Sequence, residues 1–188
     1  MRKSSPTILR AIFFKRTLSF IIISITFFLS DVIMGQCMLQ QIPFSQKINS
    51  ANLIVEGKVI SKKCYWGDTS QSVIYTSNLI EVFKVLKGVL TSTQIEVITD
   101  GGSIGMQLCI VHPSLELSVN DIGVFACTST IRYQISPLQK SLLPKFEVYA
   151  GAQGFFKYDL NTLTASDPFN VYQNVTSDIY NNIRHWLL

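Results

Sequence analysis

The sequence predicts a mainly β fold, a small antiparallel barrel followed by a C-terminal helix. The chain has 188 residues, of which 47% are hydrophobic and only 15% charged, and this composition excludes a disordered chain. Short segments rich in β-branched residues follow one another between Gly and Asp turns, which is typical of a β-sandwich or barrel. Near the C-terminus apolar residues recur at every fourth position, which indicates a helix.

Residues 1–35 are expected to form a secretory signal peptide. A basic segment is followed by an apolar run of 12 residues, 18–29, and then by Gly35, a small residue suited to the cleavage position. The run is too short for a membrane span, which needs about 20 residues. An uncleaved N-terminal anchor is the alternative. A lipid anchor on Cys37 is disfavoured, because Gln36 stands where a small residue is expected.

The formal net charge of +4 belongs to this first segment. Residues 1–35 hold five of the 16 Lys and Arg residues and one of the 12 Asp and Glu residues, so 11 of each remain and the rest of the chain is neutral. Nothing in that remainder predicts the basic footprint of a nucleic-acid-binding protein. We therefore expect a secreted or cell-surface protein with an unknown protein or surface partner, and membrane contact only through an uncleaved signal segment.

Residues 36–165 are expected to form the β-barrel domain, which begins with two strands. Residues 53–60 are rich in β-branched side chains, and Gly57 within them is predicted to mark a bulge or a close approach. Residues 73–86 alternate over a long stretch of the kind that highly curved barrel strands use. Gly67-Asp68-Thr69-Ser70 forms the loop between them.

The second half of the barrel is predicted from shorter apolar segments. A glycine-rich segment, 101–105, is expected to be a loop or hairpin between strands, because no helix pattern or G-K-[ST] follows it as a phosphate-binding loop requires. The predicted strands are 95–99, 108–111, a wholly buried strand at 122–127, and a hairpin formed by 146–149 and 155–158.

Residues 166–188 are expected to form an amphipathic helix. Apolar residues recur there every four positions, at Val171, Val175, Ile179 and Ile183. Thr176, Ser177 and Asp178 prefer capping positions, so the helix is predicted to start near Ser177. Asn174-Val175-Thr176 also fits the N-glycosylation pattern.

Four cysteines follow the signal segment, Cys37, Cys64, Cys109 and Cys127. An even number in an exported chain permits two disulfides in three connectivities, and we expect at least one bridge. Free, buried thiols are the alternative. No CxxC pair occurs, so zinc-ribbon and thioredoxin-type sites have no support.

No catalytic, cofactor-binding or metal-binding residue is predicted. The two histidines, His112 and His185, belong to no HExxH motif or His/Cys cluster, and no G-x-S-x-G surrounds a serine. An enzyme site formed only in the fold would use His112 with Asp121. Tyr65 and Trp66, in a predicted loop, are the candidate binding residues, although covering the end of the barrel is the favoured role.

Six segments of the barrel region carry a resemblance to known proteins. They are ANLIVEGKV at 51–59, IYT at 74–76, EVFKVLKG at 81–88, IEVITDGG at 95–102, NDIGVF at 120–125 and YAGAQGFFKY at 149–158. Their order resembles an N-terminal β-barrel module of large exported bacterial proteins, chiefly of the Bacteroidetes. In that group the module often precedes protease, fibronectin-like or adhesive regions and a sorting domain, so this chain is expected to be a fragment, a truncated product or a stand-alone relative.

The first half of the chain is also similar, more remotely, to the netrin-like domains, the family of the tissue inhibitors of metalloproteinases. The shared features are a Cys near the mature N-terminus, the GKV strand, the strand end at Lys87-Gly88, and a Cys after the next strand. This resemblance implies an OB-like (netrin-like) barrel and a Cys37–Cys109 bridge. In those inhibitors a free N-terminal Cys amine meets the target's zinc, which here would require removal of Gln36.

Three functions follow from these observations. The leading hypothesis is a non-enzymatic, secreted or surface-associated β-barrel module with an accessory or binding role and no cofactor. The first alternative is a netrin-like protease inhibitor. The second alternative is a hydrolase with a site that no sequence motif reveals. Its candidate residues are His112 and Asp121.

Overall fold

The computed structural model describes residues 39–132 and 141–187. One compact unit begins at Gln40 and contains nearly all of them. The predicted signal peptide, 1–35, and Cys37 lie outside the described residues. None of the helices in the two described ranges is long and apolar enough to cross a membrane.

The described residues are mostly strands. Helix α1 is Phe44–Ser50, a 3-10 turn is Gly151–Gly154, and a π-helical segment, Val175–Asn181, continues as helix α2, Asn182–Leu187. The strands are β1 Leu53–Trp66, β2 Ile74–Lys87, β3 Gln94–Asp100, β4 Gly102–Ile104, β5 Gln107–Cys109, β6 Ile122–Ser129, β7 Lys145–Val148, β8 Phe155–Asp159, β9 Thr164–Ser166 and β10 Val171–Tyr172.

Five strands close into a ring in the order β1-β2-β3-β7-β6 and back to β1. This is the strand order of an OB-fold barrel, so the predicted mainly β, OB-like fold is confirmed. The barrel is antiparallel except at one contact, where β3 and β7 run parallel, with Glu96 opposite Lys145 and Val97 opposite Phe146. A ring with an odd number of strands cannot alternate direction throughout, so one parallel pair is unavoidable.

The two long strands bend to close this ring. Strands β1 and β2 pair along 14 residues each, with shifts of register after Ile54, Glu56 and Val59. The predicted irregularity at Gly57 is confirmed, because a Cβ there would lie 2.5 Å from the Glu81 carbonyl oxygen. Bulges of this kind increase strand twist and curvature.

The predicted hairpin of 146–149 and 155–158 is wrong. Strands β7 and β8 do not pair with each other, and both pair with the same edge of β6, where Val148 lies opposite Cys127 and Phe155 opposite Phe125. They form one interrupted strand, and Gly151–Gly154 bulges out between its halves. The Gly residues do mark a departure from extended structure, but the chain resumes its direction afterwards.

The first half of β1, most of β6 and the first two residues of β8 are buried on both faces, which confirms 122–127 as a core strand. Successive side chains of a strand point to opposite faces, and here alternate residues enter two different cores. The barrel core contains Leu53, Val55, Val59, Ile80, Ile95, Val97, Leu115, Leu117, Phe125, Cys127, Val148 and Phe155. The outer core, beneath the helices, contains Ile48, Ala51, Ile54, Val124, Ala126, Phe156, Ala165, Ile179 and Ile183.

The C-terminal helix is confirmed, but it occupies only part of 166–188. Strand β9 ends at Ser166, β10 follows, and the helical segment begins at Val175. Asn174, and not Ser177, caps it, since the Asn174 Oδ1 accepts hydrogen bonds from the backbone N–H groups of Thr176 and Ser177. Ile179 and Ile183 are buried as the four-residue spacing predicts.

Helix α1 is not predicted by the sequence patterns. Its seven residues bury Ile48 in the outer core and also bury Lys47, whose ammonium group forms a 2.8 Å ion pair with Asp167. The ion pair joins α1 to the segment between β9 and β10. A short helix with a buried cation lacks the apolar stripe by which helices are recognised.

Candidate functional site

The candidate functional site lies at the end of the barrel where β3 leads into the β4–β5 hairpin. Strand β3 ends at Asp100, and Gly101 and Gly102 adopt φ values of 84° and 135°, which favour glycine. The turn is tight, because a Cβ at Gly101 would lie 2.7 Å from the Cys109 carbonyl oxygen. Two glycines in succession therefore direct the chain away from the barrel sheet and into a separate two-stranded sheet.

The hairpin itself is short and regular. Its cross-strand pairs are Gly102 with Cys109, Ser103 with Leu108 and Ile104 with Gln107, and Gly105-Met106 forms the tip. The prediction of a loop or hairpin at 101–105 is confirmed. The predicted strand 108–111 is shorter and begins earlier, as β5.

Apolar side chains cover this hairpin and point into solvent. Met106 is fully exposed, Leu108 is 68% exposed and Ile110 is 62% exposed. No charged residue occurs from Gly101 to Val111. We call residues 102–111 the apolar hairpin. Contiguous exposed apolar surface of this kind marks contact sites in soluble proteins.

A cleft of ≈ 240 Å³ separates the hairpin from the barrel. Its floor includes Leu115 and Leu117, which are buried in the barrel core, and the Lys62 ammonium group donates a hydrogen bond to the Leu117 carbonyl. Thr76, Gly102 and Cys109 also line it. The base of the hairpin is hydrogen-bonded as well, since both the N–H and the carbonyl of Gly101 bond to strand β2.

The charged groups at this end of the barrel stand beside the hairpin. Arg132 pairs with Asp100 at 3.0 Å and with Glu147 at 3.2 Å, and its guanidinium lies 5.8 Å from the centre of the Tyr75 ring. These side chains are about one-third exposed, so the pairs contribute little to stability. Together Arg132, Asp100 and Glu147 carry one net negative charge next to the uncharged hairpin.

Tyr65 and Trp66 lie at the end of strand β1, and the predicted loop begins only after them. Tyr65 is buried, its ring packs 6.0 Å from that of Tyr75, and its hydroxyl donates to the Arg132 carbonyl. Burial and the neighbouring Tyr75 raise the pKa of the Tyr65 hydroxyl. This placement fits a covering role, and binding by the pair stays a prediction.

Three of the four cysteines lie in the described residues, and all three are free thiols in this structure. Cys64 and Cys109 are half-buried near the cleft, whereas Cys127 is fully buried in the barrel core. Burial raises the pKa of the Cys127 thiol to about 12. The Cys37–Cys109 bridge stays a prediction because Cys37 is outside the described residues.

The structure does not bring His112 and Asp121 together. The Asp121 carboxylate accepts from the Ser118 backbone N–H at 2.9 Å and pairs with Lys157 at 2.7 Å, while His112 is exposed after the apolar hairpin. His185 is exposed on α2, with its ring 5.4 Å from that of Trp186. Within the described ranges, no group of three His, Cys, Asp or Glu side chains could hold a metal ion.

The residue pattern indicates the hairpin but not its exposure to solvent. The available signal is the absence of charge over eleven consecutive residues, 101–111, which include five large apolar side chains: Ile104, Met106, Leu108, Ile110 and Val111. The same pattern also fits a buried strand, so sequence alone cannot separate the two.

No protein-family model matches the chain, and no curated protein matches its sequence.

Proposed function

We propose that this protein is a non-catalytic module, secreted or at the cell surface, that binds another protein through the apolar hairpin. The single observation that carries this proposal is the solvent exposure of Met106, Leu108 and Ile110 on one uncharged projection. Interface cores are depleted in charge and enriched in large apolar side chains such as Met. The predicted export signal and the neutral charge balance of the remaining chain support the location.

The hairpin is suited to bind by insertion into a partner's groove. Met106 occupies the tip, and the flexible thioether of Met adapts to irregular apolar surfaces. Burial of one such side chain contributes about 1.5–3 kcal/mol, which corresponds to roughly a 10- to 100-fold change in affinity. The base of the hairpin is fixed at Gly101, whose N–H donates to the Ile74 carbonyl at 2.9 Å and whose carbonyl accepts from the Thr76 hydroxyl at 2.7 Å, so little ordering cost is added on binding.

Site-specific photo-crosslinking in the producing cells tests this function. A photoreactive amino acid replaces Met106 in one variant and Val89, which is 92% exposed in the loop between β2 and β3, in a matched control. We expect a discrete protein adduct from position 106 and none from position 89. Equal labelling at both positions, or none at 106, overturns the proposal.

A second variant connects the adduct to the hairpin surface. Leu108→Ser removes an exposed side chain, so the free energy of unfolding should change by less than about 0.5 kcal/mol. The identified partner is then titrated against the purified variant, and the yield of the position-106 adduct reports the affinity. This affinity should fall about tenfold or more. Unchanged affinity would show that the hairpin does not form the interface, and an adduct between two copies of this chain would identify the partner as itself.

A netrin-like protease inhibitor is the second candidate function. The OB-type order of the ring, with β3 parallel to β7, is the observation that favours it, although a fold alone does not establish an activity. This candidate requires a Cys37–Cys109 bridge and inhibition of zinc proteases by the mature protein. Peptide mapping of Cys109 together with an inhibition assay on a panel of such proteases decides it.

A further inference from the structure

Two half-buried cysteines adjoin one glycine at the base of the apolar hairpin. Cys64 belongs to β1 and Cys109 to β5, and both lie next to Gly102. We propose that Cys64 and Cys109 form a disulfide in the exported protein, and that this bond fastens the apolar hairpin to the barrel.

The Cys64 sulfur lies directly against Gly102. Cys64 is opposite Thr76 in the β1–β2 pair, and its Sγ is 3.4 Å from the Thr76 Oγ1. A Cβ on Gly102 would lie 2.6 Å from that sulfur and 2.5 Å from that hydroxyl oxygen. The missing side chain of Gly102 is therefore what gives the Cys64 sulfur its position beneath the hairpin.

Cys109 approaches the same point from the other strand of the hairpin. It is the cross-strand partner of Gly102, and directly paired residues of antiparallel strands have Cα atoms about 4.5–5.5 Å apart. Cys109 also lines the cleft together with Thr76 and Gly102. Side chains of directly opposed residues project from the same face of the two strands, so the Cys109 side chain leaves the hairpin on the face where a Gly102 Cβ would meet the Cys64 sulfur.

Cys127, the third cysteine in the described residues, is unsuited to thiol–disulfide exchange. Cys127 is fully buried in the barrel core, and burial raises the pKa of its thiol to about 12. Because the thiolate is the reacting form, Cys127 is expected to stay reduced. The half-buried thiols, Cys64 and Cys109, remain as the pair that an oxidant can reach within the described part of the chain.

The bond forms by thiol–disulfide exchange with an oxidant of the disulfide class, such as an oxidised dithiol protein or glutathione disulfide. The thiolate of one cysteine attacks the oxidant and releases one of its sulfurs as a thiol. The second thiolate then attacks the mixed disulfide, forms the Cys64–Cys109 bond and releases the other thiol. Two protein thiols lose two electrons and two protons in total, and the oxidant's disulfide gains both.

Peptide mapping under non-reducing conditions tests the pairing. The full chain is produced through an exporting host, equilibrated with glutathione and its disulfide, alkylated without reduction, and cut with trypsin and a Glu-specific protease. Trypsin cuts after Lys63, and cleavage after Glu81, Glu96 and Glu116 separates Cys109 from Cys127. We expect residues 64–81 linked to residues 97–116, with the Cys127 peptide alkylated only after unfolding.

Two serine variants provide controls. Cys109→Ser should raise alkylation of Cys64 in the native protein from near zero to one equivalent, whereas Cys127→Ser should leave the 64–109 link intact. A link from Cys109 to Cys37 or to Cys127 overturns the proposal, and so does full native alkylation of both Cys64 and Cys109. Mapping of the unmutated chain decides the pairing even if a variant does not fold, and its result is independent of whether the apolar hairpin binds a partner.

Discussion

The buried ion pair between Lys47 and Asp167 offers the sharpest test of how the fold is held together. The Lys47 Nζ lies 2.8 Å from the Asp167 Oδ2, and the two side chains are 1% and 0% exposed. Lys47→Met keeps an unbranched side chain of similar length but removes the charge. The Asp167 carboxylate would then remain buried without its cation.

The expected cost follows from the hydrogen bonds that remain. Asp167 also accepts from the backbone N–H of Phe169 at 2.8 Å, from that of Asn170 at 2.9 Å and from the Tyr172 hydroxyl at 2.9 Å. These donors stabilise the negative charge but do not neutralise it. Removing one partner of a buried pair costs about 3–5 kcal/mol, and the remaining donors place our expectation near the lower end of that range.

Urea unfolding measures this loss. At about 1–3 kcal/mol per molar urea, a loss of this size lowers the unfolding midpoint by on the order of 2 M. The exposed Lys63 gives the matched control Lys63→Met, expected to change stability by less than about 0.5 kcal/mol. The double variant Lys47→Met with Asp167→Asn should regain part of the loss, because no uncompensated charge remains. A loss below about 1 kcal/mol for Lys47→Met, or a double variant less stable than the single one, would refute a desolvated pair.

The same pair predicts an acid dependence. Burial by itself raises the pKa of Asp167, but hydrogen bonds from Lys47, Phe169, Asn170 and Tyr172 outweigh it and hold the pKa below the ordinary 3.8. A carboxyl group with a lowered folded pKa stabilises the fold fully above its unfolded value and loses that contribution as the pH falls through the folded value. The stability difference between the unmutated protein and Lys47→Met should therefore shrink below pH 3.8, and a constant difference would contradict this assignment.

Three further outcomes are expected. Gly57→Ala should lower the free energy of unfolding by about 1–3 kcal/mol in urea titrations, because its Cβ would lie 2.5 Å from the Glu81 backbone oxygen; an unchanged midpoint would contradict this close approach. Asn174→Ala should cost about 1 kcal/mol by removing the cap of the π-helical segment, and Asn174→Asp should retain most of it, as thermal unfolding can measure. With the pKa of its thiol near 12, Cys127 should carry roughly one thiolate per ten thousand molecules at pH 8 and resist a thiol reagent until the protein unfolds, so rapid native labelling of Cys127 would contradict its burial.

The parts of the fold that the sequence predicts are those specified by neighbouring residues. Strands β1, β2, β3 and β6 follow from local runs of β-branched and apolar residues, and Ile179 and Ile183 follow from helical spacing. Closure of the ring is different, because β7 begins at Lys145, and residues 101–144 separate it from the end of β3. Pairing across such a separation has no local pattern, and for this reason the sequence favours pairing β7 with β8 although both pair with β6.

The candidate site divides in the same way. Gly101, Gly102 and Gly105 reveal the turns of the hairpin, because their positive φ values suit glycine. Whether Met106 and Leu108 then pack on the barrel or face solvent depends on what fills the barrel end. Leu115 and Leu117, which follow the hairpin in the chain, already fill the barrel end. The exposure of Met106 and Leu108 therefore depends on tertiary packing, which a local sequence pattern does not show.

Packing also explains why the hairpin is a stronger candidate for binding than the helical face, by which we mean the outer face of β1, β6 and β8 beneath the helices. The outer face of β1, β6 and β8 is already covered: α1 and the C-terminal helix bury Ile48, Ile179 and Ile183 against it. The Lys47–Asp167 ion pair fixes that covering, since exposing the face would separate two desolvated charges. At the hairpin, by contrast, the large apolar side chains face solvent. Gly102, which adjoins both Cys64 and Cys109, lines the cleft behind them. A partner that buries Met106 and Leu108 therefore displaces only water, whereas a partner for the helical face would first have to break an ion pair and an established core.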